Sequence, residues 1–184
     1  MSTFPFHTPE SAPAAARPIL ADTSTRLGFV PNLYAGLATA PPVLHAYLGL
    51  AQQFAATSLS PIEREVVSLA ASAEHQCRFC VAAHSMLATN MAGMPAAVLA
   101  ALRDGREPED PRLGALAAFA RAMVEERGWV AGHPAYQRFL AAGFSPAQAL
   151  EVLLGVTQKV LSNYANHLMG TELNEAFAGY RWEP

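Results

Sequence analysis

Helical periodicity runs through nearly the whole chain and constrains its fold more than any other feature. Apolar residues recur at the three- and four-residue spacing of one helix face, and strand-like alternation of apolar and polar residues is absent. The sequence therefore predicts an all-α fold.

Helix start and stop signals divide this pattern into elements. Ser60-Pro61-Ile62-Glu63 combines a capping serine, a proline at the first helical position and a glutamate that completes a capping box. The segment 145–148 (SPAQ) repeats the signal, and His75-Gln76 interrupts a helical stretch. The predicted helices cover, approximately, residues 14–23, 32–40, 41–57, 61–74, 77–92, 95–103, 112–127, 133–142, 146–168 and 171–179.

The length of 184 residues suits one domain. We expect residues 1–184 to form a single domain, with an N-terminal extension (1–40) that wraps over a helical core (41–184). Hydrophobic residues make up 52% of the chain and charged residues 15%. This apolar composition predicts either a large core or a surface that a second copy of the chain covers.

Charge and targeting signals exclude several partners and locations. The net charge is −3 and the 12 Lys and Arg residues are scattered, so neither nucleic acid nor an anionic membrane surface is expected as a partner. No secretory signal or membrane-spanning segment is recognisable, which predicts a cytoplasmic protein. No glycine-rich phosphate loop occurs, so no nucleotide or flavin cofactor is expected.

Two cysteines, Cys77 and Cys80, are the residues with the clearest chemical potential. In a reducing compartment such a closely spaced pair is more often catalytic or metal-binding than structural. On a helix, with roughly 100° per residue, Cys77, Cys80 and His84 fall on one narrow arc. The cysteines would lie in the first turn, where the helix dipole and unpaired N–H groups favour a thiolate, and His84 could accept a proton.

These residue types suit the reduction of a peroxide. A thiolate attacks the O–O bond and becomes a sulfenic acid, which a neighbouring thiol converts to a disulfide. Glu65 lies on the preceding helix, 12 residues before Cys77. It could reach the cysteine end only if its own helix bends back.

The spacing of Glu65, Cys77, Cys80 and His84 resembles the core motif of the carboxymuconolactone decarboxylase-like superfamily, specifically its alkylhydroperoxidase D (AhpD) branch. Two further segments resemble the "peroxidase-related" subgroup of that branch: 27–34 (LGFVPNLY) and 163–173 (NYANHLMGTEL). The resemblance covers nearly the whole chain.

The resemblance implies an AhpD-like all-helical fold that assembles into trimers or hexamers. It implies a thiol-dependent peroxidase that reduces organic hydroperoxides or hydrogen peroxide, with a thioredoxin-like or dihydrolipoyl dithiol as reductant. It assigns Cys80 as the peroxidatic thiol, Cys77 as the resolving thiol, and Glu65 and His84 as a proton relay. Position on the helix alone favours Cys77 as the nucleophile, since Cys77 lies nearer the positive end of the dipole.

One departure from the family pattern concerns the relay. The best-known AhpD proteins have a second histidine between the two cysteines, whereas this chain has Arg78 and Phe79 there. An arginine can lower a cysteine pKa by its charge, but it cannot shuttle protons at neutral pH. His167 is a candidate replacement if its helix packs nearby.

Four other interpretations remain open at this point. The chain could be a decarboxylase-type enzyme that uses acid–base residues and needs no cysteine pair. It could be a redox-sensing oligomer that does not turn over, or it could hold zinc or iron through Cys77, Cys80, His84 and Glu65. Finally, the two cysteines could be buried small hydrophobic residues.

Overall fold

The computed structural model describes residues 3–184 and confirms the all-α prediction. Within this range the chain forms nine α-helices and one 3₁₀ helix, and no β-strand is present. The helices are α1 Arg17–Leu27, α2 Asn32–Leu37, α3 Pro41–Ala55, α4 Pro61–Glu74, α5 Arg78–Asn90, α6 Ala96–Arg103, α7 Pro111–Glu125, α8 Pro134–Ala141 and α9 Pro146–Met169. The 3₁₀ helix is Glu175–Tyr180.

The two predicted Ser-Pro start signals both begin helices. Ser60 accepts a hydrogen bond from the backbone N–H of Glu63, whose carboxylate accepts one in return from the Ser60 backbone N–H. Ser145 and Gln148 form the same reciprocal pair at the start of α9. Each capping box satisfies N–H groups that have no partner within the helix.

Helix boundaries at the two ends of the chain differ from those predicted. The first helix is shifted toward the C-terminus and ends at Leu27, followed by Gly28, whose φ of 79° lies in the left-handed region. The predicted tail helix (171–179) is wrong in type. Asn174 bonds to the Val30 carbonyl and to Asn32 on the N-terminal extension, and a 3₁₀ helix follows it.

Helix α4 lies at the centre of the fold, in contact with α5, α7 and α9. Gly155 of α9 permits a close approach, because a Cβ atom there would lie 2.5 Å from the Phe54 ring of α3 and 2.9 Å from Val67 of α4. This packing brings the C-terminal half of α9 beside α5.

The N-terminal extension packs over the part of the core that contains the cysteines. Ala12, Ala16 and Leu20 are buried, and they belong to the same apolar cluster as Cys77 and Cys80. The extension therefore helps to shield the two sulfur atoms from water.

Helix α9 has its polar and apolar faces reversed relative to an ordinary surface helix. Its buried residues in the C-terminal half are mostly polar: Gln158, Lys159, Ser162, Asn163 and Asn166. Its exposed residues include four large apolar side chains: Leu150, Leu153, Tyr164 and Leu168. Within residues 3–184, no helix combines the length and the apolar character that a membrane crossing requires.

Candidate active site

The turn between α4 and α5 fixes the position of Cys77. Gln76 has a φ of 54°, and its N–H donates to Ala73 while the Cys77 N–H donates to Ser72. This pair of bonds is a Schellman motif, usually built with glycine at the left-handed position. It ends α4 at the predicted break and makes Cys77 the residue that immediately precedes α5.

Both thiols are free and buried, with 1% of Cys77 and 2% of Cys80 exposed. Cys80 is the third residue of α5, where backbone N–H groups lack partners within the helix. The predicted placement of the pair at a helix start is thus confirmed for Cys80, while Cys77 lies at the cap.

Polar residues of α9 contact the two sulfur atoms. Asn166 Nδ2 lies 3.2 Å from Cys80 Sγ and 3.9 Å from Cys77 Sγ. Ser162 Oγ lies 3.8 Å from Cys80 Sγ. An amide N–H directed at a sulfur stabilises the thiolate more than the thiol, because the charged acceptor forms the stronger hydrogen bond.

Glu65, His84 and Lys159 form a continuous chain of hydrogen bonds. Glu65 Oε2 lies 2.7 Å from His84 Nδ1, and Lys159 Nζ lies 2.6 Å from His84 Nε2. Glu65 reaches the site without the expected bend, because α4 and α5 run side by side and its partner is His84 rather than a cysteine. Three helices therefore supply one residue each.

The environments of the two thiols drive their pKa values apart. For Cys80, burial raises the pKa, but a hydrogen bond from the Cys77 thiol and the charge of Lys159 act in the opposite direction, and the pKa falls to about 5. For Cys77, the hydrogen bond with Cys80 and burial raise the pKa. The two shifts favour the thiolate on Cys80 and the thiol on Cys77, and the thiolate is the form that nucleophilic attack requires.

Two tyrosines complete the buried polar region on the side of the N-terminal extension. Tyr34 and Tyr47 contact each other edge to face, with ring centroids 5.7 Å apart. Burial raises the pKa of each hydroxyl, and the nearby Cys80 raises that of Tyr47 further. Both hydroxyls therefore stay protonated at neutral pH and can act as hydrogen-bond donors.

The residues that replace the missing histidine of the family pattern lie away from this hydrogen-bond chain. Arg78 is exposed and pairs with Glu183 at 2.9 Å, and Phe79 packs edge to face on Phe177. His167 is exposed. His167 was the candidate replacement for the missing histidine, but Lys159, on the same helix, is the residue that lies beside His84.

Several contacting residues were not predicted from the sequence, namely Lys159, Ser162, Asn166, Tyr34 and Tyr47. A usable signal existed for one of them, because Lys159 is the only lysine among 12 basic residues. The predicted four did come together in part: Cys77 with Cys80, and Glu65 with His84. Among residues 3–184, no three His, Cys, Asp or Glu side chains are arranged to hold a metal ion.

Comparison with known proteins agrees with the sequence pattern and the fold. Residues 41–122 match the carboxymuconolactone decarboxylase family. An alkylhydroperoxidase AhpD core, a peroxidase-related protein from Ralstonia eutropha JMP134, superposes with a TM-score of 0.84 at 23% identity, covering 96% of this chain and 94% of that chain. A peroxidase-related protein from Silicibacter sp. TM1040 superposes with a TM-score of 0.80 at 19% identity, covering 96% and 93%.

A third similar structure carries a different activity in its name. The debrominase Bmp8 superposes with a TM-score of 0.78 at 18% identity, covering 96% of this chain and 94% of that chain. No curated protein is significantly similar in sequence. The resemblance drawn from the spaced Glu, Cys, Cys and His residues is confirmed at this level: residues 41–122 match the carboxymuconolactone decarboxylase family model, and the chain has the AhpD-like helical fold.

Proposed function

We propose that this protein is a thiol-dependent peroxidase that reduces a small hydroperoxide through Cys80 and Cys77. The observation that carries the proposal is the buried environment of two free thiols: Asn166 Nδ2 lies 3.2 Å from Cys80 Sγ, and this contact and the charge of Lys159 favour the thiolate on Cys80, while Cys77 stays a thiol. A nucleophile and a resolving thiol with separated pKa values are what a two-cysteine peroxidase needs.

The first step forms a sulfenic acid on Cys80. Its thiolate attacks one oxygen of the hydroperoxide, an S–O bond forms and the O–O bond breaks, so sulfur is oxidised as the peroxide is reduced. The alkoxide or hydroxide that leaves needs a proton, and the His84–Lys159 pair holds one next to Glu65. This arrangement supports the predicted role of Glu65 and His84 as a relay.

The second step closes the disulfide. The Cys77 sulfur attacks the Cys80 sulfur, an S–S bond replaces the S–O bond, and the hydroxyl group leaves as water with the proton from Cys77. Regeneration requires an external dithiol, which we propose to be a thioredoxin-like or dihydrolipoyl group. Since both sulfurs are buried, this reductant needs a local opening of the structure to reach them.

A count of free thiols tests the proposal. Reduced protein is mixed with one equivalent of hydroperoxide, denatured, and titrated for thiols. Loss of two thiols per chain that a dithiol restores supports a peroxidatic pair. Retention of both thiols, with activity on a lactone acid surviving alkylation, would instead support the decarboxylase-type reading. If the thiols are oxidised once but no dithiol supports repeated consumption of hydroperoxide, the result would support the hypothesis of a redox sensor.

A reductive dehalogenase is a second candidate, favoured by the fold shared with Bmp8, of which one solved structure is a complex with 2,3,4-tribromopyrrole. Two thiols can supply the electron pair that releases a halogen as halide, and the buried relay could supply the proton that replaces it on carbon. Release of bromide from a bromopyrrole, coupled to loss of two thiols and faster than peroxide consumption, would favour this activity over the peroxidase.

A further inference from the structure

Lys159 is the only lysine in the sequence, and the fold buries it. All other basic residues that carry a permanent charge are arginines. A buried ammonium group is costly unless it is paired, so a lysine placed there needs specific partners.

The partners of Lys159 limit where protons can be. Two nitrogens 2.6 Å apart, Lys159 Nζ and His84 Nε2, can share only one bridging proton, because one must donate and the other accept. With the ammonium as donor, His84 accepts at Nε2 and its Nδ1–H donates to the Glu65 carboxylate. This row of hydrogen bonds then has a positive end at Lys159 and a negative end at Glu65, and His84 is held in a single tautomer.

Lys159 also lies on the face of α9 that contacts Cys80, because Ser162, about one helical turn further on, lies 3.8 Å from Cys80 Sγ. The charge of Lys159 acts on Cys80 of α5 and on Tyr34 of α2, while Glu65 of α4 bonds to His84 and Tyr47 of α3 contacts Tyr34. Glu65 is the counter-charge through His84, and both tyrosines are neutral at pH 7. The thiolate of Cys80 is therefore the group whose charge changes during the reaction while Lys159 stays buried beside it.

We propose that Lys159 is a positioning residue that fixes the tautomer of His84 and balances the negative charge of Cys80, so that its electrostatic environment follows the state of that cysteine. Lys159 contacts His84 directly, whereas His167 on the same helix is exposed. The role in turnover rests on the proposed peroxidase function, whereas the charge coupling between Lys159 and Cys80 does not.

Because the sequence has a single lysine, the signal of Lys159 can be observed directly in protein that keeps this residue. Protein labelled with ¹³C-lysine should give one lysine side-chain NMR signal. In reduced protein titrated from pH 4 to pH 9, we expect this signal to show an inflection where Cys80 ionises. The inflection should persist in Cys77→Ser and disappear in Cys80→Ser. Identical curves in the wild type and Cys80→Ser would overturn the proposal.

A reciprocal experiment uses Lys159→Met, which keeps the shape of the side chain and removes its charge. The ultraviolet absorbance of the thiolate should then titrate at higher pH, by roughly one to three units, as expected for loss of a nearby opposite charge. An unchanged thiolate titration in a folded Lys159→Met protein would contradict the proposal. If this variant does not fold, the lysine signal of the wild type and Cys80→Ser still decides.

A failure of the proposed peroxidase function can be told apart from a failure of the Lys159–Cys80 charge coupling by the choice of oxidant. Diamide forms a disulfide from any accessible thiol pair, whereas a hydroperoxide does so only if the peroxidase chemistry operates. A lysine signal that moves with diamide but not with hydroperoxide would refute the proposed function and keep the charge coupling. A signal that moves with neither, although thiol counting shows the disulfide, would refute the coupling.

Discussion

Asn166 Nδ2 lies 3.2 Å from Cys80 Sγ, which joins two residues 86 positions apart in the chain. The side chain of Asn166 is buried, and its Oδ1 atom has no hydrogen-bond partner. A buried acceptor without a partner is costly, so the orientation of this amide toward the sulfur must be favourable overall. The contact makes Asn166 part of the environment that stabilises the thiolate.

Replacing Asn166 should raise the pKa of Cys80. In Asn166→Leu the hydrogen-bond donor is lost. We expect the pKa of Cys80 to rise by about one unit, which corresponds to the free energy of a hydrogen bond to a charged group. In Asn166→Asp a carboxylate of similar shape faces the thiolate, and like-charge repulsion should raise the pKa further. Titration of thiolate absorbance measures both. Equal titration of the wild type and both variants would show that Asn166 does not act on Cys80.

The reversed faces of α9 explain which parts of the site could be predicted. The spacing of Cys77, Cys80 and His84 within one helix is visible in the sequence, since helical periodicity places them on one arc. Lys159 and Asn166 belong to a helix whose outer face is apolar, so the usual rule would turn their face toward water. The position of this face depends on how α9 packs against α4 and α5, which local sequence patterns do not determine.

Element prediction succeeded where the signal is local and failed where a long-range contact decides the structure. The capping boxes at Ser60 and Ser145 are short-range signals, and both helices begin where predicted. The prediction of a helix directly after Gly170 was wrong, because Asn174 is held by Asn32, which lies 142 positions away in the chain. The contact between Glu65 and His84 was likewise not derivable from the spacing, because it depends on the side-by-side packing of two helices.

The burial of both cysteines predicts slow reaction with bulky thiol reagents. In the native protein, an aromatic disulfide reagent should react with Cys77 and Cys80 on the order of 100-fold more slowly than in urea, because it must wait for local opening. The measurement is the rate of thionitrobenzoate release. Immediate reaction of both thiols under native conditions would show that the N-terminal extension does not shield them.

The outer face of α9 predicts that the chain self-associates. Leu150 and Leu168 are 69% and 72% exposed, and the exposed residues along this helix include no Asp, Glu, Lys or Arg, their one basic member being His167. The partly buried Glu151 bonds to Ser58. The same uncharged face on a second copy is a self-complementary partner, and covering it would account for the apolar composition. The trimer or hexamer implied by the family resemblance stays a prediction.

Light scattering tests this surface. Leu168→Glu should lower the molar mass of the assembly, because it places a charge within the apolar contact. Met91→Glu is the control, since Met91 is similarly exposed at 78% but lies at the end of α5. A monomeric wild type, or equal effects of the two substitutions, would exclude α9 as the specific interface.

We expect replacement by alanine to have opposite effects on stability at two helical glycines, Gly155 and Gly49. Gly155→Ala should destabilise the protein by roughly 1–3 kcal/mol, because the added Cβ would lie 2.5 Å from the Phe54 ring. Gly49→Ala in α3 meets no atom within 4 Å and should stabilise by about 0.5–1 kcal/mol through helix propensity. Urea unfolding measures both. A stabilising Gly155→Ala would show that α9 does not pack this closely on α3.

The most direct test of the central claim traps the first oxidised state of the nucleophile. In Cys77→Ser no resolving thiol remains, so hydroperoxide followed by dimedone should leave a dimedone adduct on Cys80, located by peptide mass spectrometry. In Cys80→Ser, Cys77 should stay unmodified under the same conditions because burial keeps it a thiol. An adduct on Cys77 in Cys80→Ser, with none on Cys80 in Cys77→Ser, would contradict the account.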